Sequence, residues 1–405
     1  MSHKNEDDIE FENFGEESED DLLIDNLDAF NQAVVWGTDW TTETIVNQLI
    51  KGNLNLNPSF QRRDAWDNKD KSRLIESLIL GLPVPPIILA ERKDVRNSYI
   101  VIDGKQRLLA LRQFCATSED EFDKLELKNL DHLRKLNGAT FEDLSENPDF
   151  ENYKTSFENQ SIRTIVIKNW PNEAFLFTVF LRLNTGSKKL SPQELRQALH
   201  PGPFLTYIDE VTSESLEFRK ILRNNKPDSR MRDVELAIRY FAYEYNFTNF
   251  KGNMKEFLDS TCEKLNSLWK HKEDEIVAHY SNLEHAIEVC FEIFGKKEAF
   301  SRYKDGIYNK RFNRALYEVF TYFFSNKEIR DKILKDKQFF KKQFEHLSEN
   351  DLVFIDSISS TTKDMRKTVY RFNEIGEIIK EITEYPVPRF EIKNGTIHKL
   401  VPKDL

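Results

Sequence analysis

Long apolar runs are missing from this chain of 405 residues. Crossing a bilayer takes roughly 20 consecutive apolar residues, so a membrane-spanning protein is not expected. Cysteine is scarce: Cys115, Cys262 and Cys290 stand far apart and fit neither a disulfide framework nor a metal array, which leaves core filling as their role. The eight histidines are scattered, with no H-E-x-x-H pair and no Cys/His array. There is no G-x-S-x-G elbow, no Walker A loop and no G-x-G-x-x-G fingerprint. Chemistry through a resident metal or a covalent nucleophile is therefore not indicated. The start, Met-Ser-His-Lys followed by acidic residues, lacks the pattern of a signal peptide, and a cytoplasmic location is expected.

Basic excess is also missing, with a net charge of −10, but the deficit is local. Residues 1–30 hold twelve acids and one lysine, a net of −11, which leaves the rest at about +1. The body is nearly neutral, so the overall charge does not argue against nucleic-acid binding, which local patches decide. The leader 1–30 has little to bury and is expected to be a disordered acidic tail. It serves as a solubilising leader or, on a functional reading, mimics nucleic acid or occupies a basic groove.

The periodicities divide the remainder in two. From 31 to 200, strands and helices mix. Thr41-Thr42-Glu43 starts a helix that ends at Lys51-Gly52-Asn53, and a second runs from about Asn68 to Leu80, with Gly81 and Pro83 stopping it. Ile87-Ile88-Leu89 and Tyr99-Ile100-Val101-Ile102 read as strands, as does Ile162 to Ile167. Residues 118–160 are irregular with short helices, and Asn172 to Leu183 is helical. Ser191-Pro192-Gln193-Glu194 is a capping box with proline at the first helical position. From 201 to 405 strand signals nearly vanish. Amphipathic helices are expected over about 230–246, 253–270, 274–294, 311–325 and 328–344, and Asn394-Gly395-Thr396 suggests a final hairpin. The fold class expected is α+β: a mixed domain followed by a mainly helical one.

The most informative stretch is Asp103-Gly104-Lys105-Gln106-Arg107. It joins the strand ending at Ile102 to the helix opening at Leu108. The first turn of that helix offers free backbone N–H groups and the positive end of the helix dipole. Gly104 lets a ligand approach the backbone, and Lys105, Gln106 and Arg107 add two cations and an amide. This combination suits an anion, above all a phosphate. Asp103 either pairs with Arg107 across one helical turn, orders the turn, or holds a Mg²⁺ carried by a nucleotide. A second polar group, Gln61, Arg62, Arg63, Asp64 and Trp66, precedes a helix bearing Lys69, Lys71 and Arg73. Its arginine forks and ammonium groups suit phosphate oxygens; alternatively they pair with Asp64, Asp67 and Asp70. Arg182, Asn184, Thr185 and Gly186 form a third group, explained either by a turn or by a ligand.

Taken in order, Pro58-Ser-Phe-Gln-Arg62, Trp66, Arg73-Leu-Ile-Glu-Ser77, Gly81-Leu-Pro-Val-Pro85, Val101-Ile-Asp-Gly-Lys-Gln-Arg-Leu108, Arg182-Leu-Asn-Thr-Gly186 and Leu190-Ser-Pro-Gln-Glu-Leu195 resemble a known family. It is the N-terminal domain of GmrSD-type, modification-dependent restriction systems, within the ParB/sulfiredoxin-like superfamily. The resemblance covers about 35–200. The segment Arg230 to Arg239 is similar to the region that follows this domain in the family.

The resemblance implies a mixed α/β domain that binds a nucleoside triphosphate (ATP, GTP or CTP), with Mg²⁺. By position it implies Gln61, Asp103 and Gln106 as the residues of hydrolysis. The candidate nucleotide-binding set is Arg62, Gly104 and Arg107, which carry over by position, with Arg63, Lys71, Lys105 and Asn184 added for their residue types. The family's turn usually reads D-G-Q-Q-R; Lys105 stands here at the third position, an added cation where relatives place an amide. Binding is thus the firmer expectation and hydrolysis the weaker. Many relatives continue into an HNH nuclease, but no H-x-x-P or His-Asn-His arrangement follows residue 201. DNA cleavage by this chain alone is not expected, and a separate nuclease subunit would supply it. The expected function is a nucleotide-binding, NTP-hydrolysing component of a bacterial phage-defence or restriction system, engaging DNA or a partner. The alternative is a non-catalytic DNA-binding or adaptor protein that regulates a separate nuclease.

Overall fold

The computed structural model describes residues 9–12, 33–54, 56, 63–172, 175–176, 178–179, 191–360 and 364–401. The chain divides into two compact units, one of residues 22–199 and one that joins residues 1–21 to 200–405. The architecture is α+β, with a small mixed sheet in the first unit and a helical second unit.

In the first unit, β1 (Val34–Thr41) leads directly into α1 (Thr42–Ile50), whose start is fixed by Thr41 Oγ1 accepting the Thr44 N–H at 3.2 Å. Then come α2 (Asn68–Ile79), β2 (Ile87–Glu91), β3 (Tyr99–Asp103) and α3 (Lys105–Phe114). The short helices α4 (Phe141–Glu146) and α5 (Glu151–Asn159) precede β4 (Ser161–Lys168) and α6 (Pro192–Leu199). The helix expected over 172–183 falls largely outside the described residues. The sheet order is β1-β4-β2-β3. Only the β4–β2 pair is parallel. β1 is not among the strands expected from sequence. Val34, Val35 and Trp36 on it remain exposed, so its sequence carries no buried alternation, and pairing with β4 makes it a strand.

Both faces of the sheet are covered. Ile87 and Leu89 pack with Leu108, Leu109 and Leu111 of α3 and Leu74, Ile75 and Leu78 of α2. Ile88, Ala90, Ile100 and Ile102 pack on the other side with Trp170 and Leu195 of α6. Each fully buried leucine or isoleucine contributes about 1.5–3 kcal/mol, which fixes the turn after β3 on a rigid base. Helix α2 ends as its sequence demands: Gly81 is left-handed at φ +71°, with Gly81 N–H on Leu78 O at 3.1 Å and Leu82 N–H on Ser77 O at 2.9 Å. Glu76 of the same helix accepts the N–H groups of Asp131, His132 and Leu133 at 3.2, 2.8 and 2.7 Å. Burial alone would push its pKa up, but these three donors hold the carboxyl below its ordinary range.

The second unit begins with α7 (Pro203–Glu214), α8 (Leu216–Leu222), α9 (Arg232–Asn246) and α10 (Met254–Phe294). A small hairpin, β5 (Tyr303–Lys304) and β6 (Ile307–Tyr308), precedes α11 (Arg314–Phe324), α12 (Lys327–Lys335), α13 (Lys337–Asn350), α14 (Leu352–Ser359) and α15 (Met365–Thr383). The unit closes with β7 (Arg389–Lys393) and β8 (Thr396–Leu400), joined at Asn394-Gly395. The two helices expected over 253–294 follow one another without an intervening loop, the chain kinking at Lys272, where φ is −131°. The helix expected over 328–344 is instead two, because Asp336 caps a new start by accepting the Phe339 N–H at 3.3 Å. At the centre lies Glu318, fully buried, bonded to Arg239 at 2.6 Å, Arg371 at 2.8 Å and the Tyr243 hydroxyl at 3.0 Å.

The leader corrects one expectation. Residues 9–12 are not tail: Phe11 pairs with Phe312 and Glu12 is 3% exposed. Two apolar side chains and a socketed carboxylate give this piece something to bury, which the acidic composition of 1–30 conceals. The remainder of the expected tail, 1–8 and 13–30, lies outside the described residues.

Candidate functional site

The turn after β3 is built as a strand-to-helix junction. Gly104 is the N-cap of α3 in the left-handed region, φ 102° and ψ 10°, and no side chain caps the helix. A β-carbon there would sit 3.2 Å from both Arg107 Nη2 and Ile87 Cγ1, so conformation and space both call for glycine. The first-turn N–H groups of a helix have no intrahelical acceptor.

Arg107 folds back over the turn. Its Nη2 donates to Asp103 Oδ2 at 3.0 Å and to the Pro86 carbonyl at 3.0 Å. The i, i+4 pairing of Asp103 with Arg107 is thus present, with Asp103 42% exposed and Arg107 14%. Two polar atoms beside this pair, Gln106 Oε1 and Arg107 Nε, are buried with no hydrogen-bond partner among the described residues. A buried donor or acceptor left unmade costs about 1–3 kcal/mol.

Lys105, expected at a phosphate, is engaged within the protein. It is 5% exposed and its Nζ lies 2.7 Å from Glu194 Oε1. Glu194 has a double engagement: Oε2 accepts the Ser191 N–H at 2.8 Å, while Ser191 Oγ accepts the Glu194 N–H at 3.1 Å. The capping box is legible in the sequence as a helix start; the second oxygen of Glu194, which ties α6 to the first turn of α3, has no signal there.

Of the remaining expected residues, Lys71 is 4% exposed and ion-paired with Asp64, so the plainer of its two readings describes it. Asp64 also accepts the Trp66 N–H at 3.1 Å, and Asp67 caps α2 by accepting the Asp70 N–H at 2.8 Å. Arg63 is 1% exposed. Neither Arg63 nor Lys71 turns its charge to solvent. Gln61, Arg62 and Asn184 lie outside the described residues, as do Arg182, Thr185 and Gly186. Among the described residues no group of three or more His, Cys, Asp or Glu is gathered to hold a metal, and no helix is long and apolar enough to cross a membrane.

These features define a mixed α+β domain that presents an uncapped helix start, a glycine turn and an arginine with an unsatisfied N–H at one point. Residues 43–201 match the family model of the GmrSD restriction endonuclease, N-terminal domain, and the chain carries that domain there. That likeness is to a domain of restriction systems and covers less than half of the chain. No curated protein and no solved structure matches the chain.

Proposed function

We propose that the first unit binds a nucleoside triphosphate at Asp103–Arg107 and couples its state to engagement of DNA or a partner, as part of a restriction system whose nuclease is a separate subunit. The observation that carries this reading is the pair of unsatisfied atoms at the uncapped start of α3. A phosphate oxygen supplies the acceptor that Arg107 Nε lacks, while the backbone amides and helix dipole favour the anion. A hydroxyl or water supplies the donor that Gln106 Oε1 lacks, and this is the role a water-orienting amide plays in hydrolysis. Mg²⁺ arrives with the nucleotide phosphates, and Asp103 is the half-exposed carboxylate at the turn to hold it. Lys105, neutralised by Glu194, acts here as a brace for the turn. Gln61, Arg62 and Asn184 stay in the proposal on the motif order alone.

The test is calorimetric titration with ATP, GTP and CTP, each with Mg²⁺, alongside phosphate release measured with and without DNA. Arg107→Ala and Gln106→Ala should each weaken binding at least tenfold; unchanged affinity in both removes the site assignment. Binding with turnover makes the chain an NTPase. Binding without turnover makes it a nucleotide sensor. Absence of binding, together with a steep salt dependence of DNA affinity, moves the adaptor reading to first place.

A further inference from the structure

The second unit contains a groove that holds a tripeptide from the far end of the chain. Glu10-Phe11-Glu12 lies extended beside Phe312, whose N–H donates to the Glu10 carbonyl at 2.9 Å and whose carbonyl accepts the Glu12 N–H at 3.0 Å. The three side chains are received in three ways. Glu10 pairs at the rim with Arg311 at 3.1 Å. The Phe11 ring rests on the Phe312 ring, centroids 4.9 Å apart, under the guanidinium groups of Arg314 and Arg232 at 4.7 and 5.2 Å. The Glu12 carboxylate enters a socket and accepts from Arg302 Nε at 2.5 Å, Asn309 Nδ2 at 2.8 Å and Asn313 Nδ2.

The groove's walls have partners of their own. Arg232 is held by Asp228 at 2.6 Å and Arg314 by Glu235 at 3.2 Å. Asn313 caps α11 through the Leu316 N–H at 3.0 Å and donates to the Ile358 carbonyl at 2.7 Å. The Asn309 N–H bonds the Arg302 carbonyl at 2.8 Å, and Asn309 Oδ1 accepts the Arg311 N–H at 3.2 Å. Phe312 packs on Phe300 and Tyr317 at 5.6 and 5.7 Å. All these supports lie between 228 and 358, none in the leader. A site held in shape by its own scaffold is preorganised, which lowers the ordering cost of binding. Backbone pairing along an edge with alternate side chains read by separate pockets is also how proteins recognise extended peptides.

We propose that this groove is a recognition site for an extended acidic–aromatic–acidic peptide segment, with the chain's own Glu10-Phe11-Glu12 as an exchangeable resident. A partner protein presenting a segment of this chemistry displaces the leader and takes its place. The test uses a fluorescently labelled synthetic peptide spanning residues 5–16, titrated into the full chain and into the full chain carrying Phe11→Ala and Glu12→Ala. A tethered segment competes at an effective concentration on the order of millimolar. The substituted chain, whose groove is vacated, should therefore bind the peptide at least tenfold more tightly than the unsubstituted chain. A peptide bearing the same two alanines should bind neither. A gentler variant, Phe11→Leu with Glu12→Gln, should stay folded by circular dichroism and show an intermediate gain. A folded double-alanine chain that fails to bind the peptide overturns the proposal. So does loss of fold in both variants, which makes the tripeptide part of the core.

Discussion

Removing the negative charge of Glu194 should destabilise the first unit severely while leaving its helix cap in place. Glu194→Gln is the informative change because glutamine serves a capping box as well as glutamate does. It can keep the Ser191 N–H bond seen at 2.8 Å. What it removes is the carboxylate 2.7 Å from Lys105 Nζ, in a pair whose side chains are 6% and 5% exposed. Breaking a buried pair from one side costs about 3–5 kcal/mol, since the other charge stays desolvated. With its single oxygen on the Ser191 N–H, the glutamine turns its NH2 toward Nζ, donor against donor, so a cost of at least about 3 kcal/mol is expected. Four of the five tryptophans, Trp36, Trp40, Trp66 and Trp170, lie within residues 22–199, so fluorescence during urea unfolding reports chiefly on this unit. With a slope of about 2 kcal/mol per molar urea, the midpoint should fall by about 1.5 M. Combining Glu194→Gln with Lys105→Met should recover much of the loss, because two neutral side chains leave no buried charge. A midpoint shift below about 0.3 M for Glu194→Gln, or a double variant no better than the worse single one, refutes the assignment of this pair as the brace of the turn.

Gly104→Ala places a β-carbon against Arg107 and Ile87 at φ +102°, and should cost about 1–3 kcal/mol and at least tenfold in nucleotide affinity, read by thermal unfolding and calorimetry. Glu76, whose folded pKa lies below its unfolded value, adds stability that is complete at neutral pH and is lost as pH falls through its folded pKa. Acid unfolding monitored by tryptophan fluorescence should therefore be less steep in Glu76→Gln; an unaltered profile contradicts this role. Glu318→Ala leaves Arg239 and Arg371 without their shared carboxylate in the second unit, and should lower its stability by about 3–5 kcal/mol in a far-UV denaturation curve.

Local signals carry much of the fold. The apolar run Tyr99–Ile102, the glycine and the amphipathic stretch from Leu108 place the junction after β3 from sequence, because hydrophobic period and turn chemistry act over a few residues. The same holds for the capping box at Ser191, the stop at Gly81 and the hairpin at Asn394-Gly395. The elements that sequence reasoning misses depend on distant partners. β1 is a strand because β4 pairs with it, Asp39 lying opposite Arg163, 124 residues further along the chain. The partner of Lys105 lies 89 residues further on, and no spacing rule spans that distance. The bend at Lys272 and the break at Asp336 give no warning of their form: one joins two expected helices without a loop, and the other divides a helical pattern that reads through without interruption. The chemistry of the turn is legible as residue types, and the pairing of Lys71 with Asp64 as one of two readings; the diversion of Lys105 to Glu194 is not.

The socket for Glu12 has a consequence for synthesis. Arg302, which bonds Glu12, follows it by 290 residues. At about 5–20 residues per second, the leader emerges from the ribosome roughly 15–60 seconds before its receptor exists. In that interval its acidic residues face water, where charge keeps the segment dispersed, and the first unit, residues 22–199, is made in between. The bond between Glu12 and its socket thus belongs among the late events of folding, a closing step that joins a segment made early to one made much later.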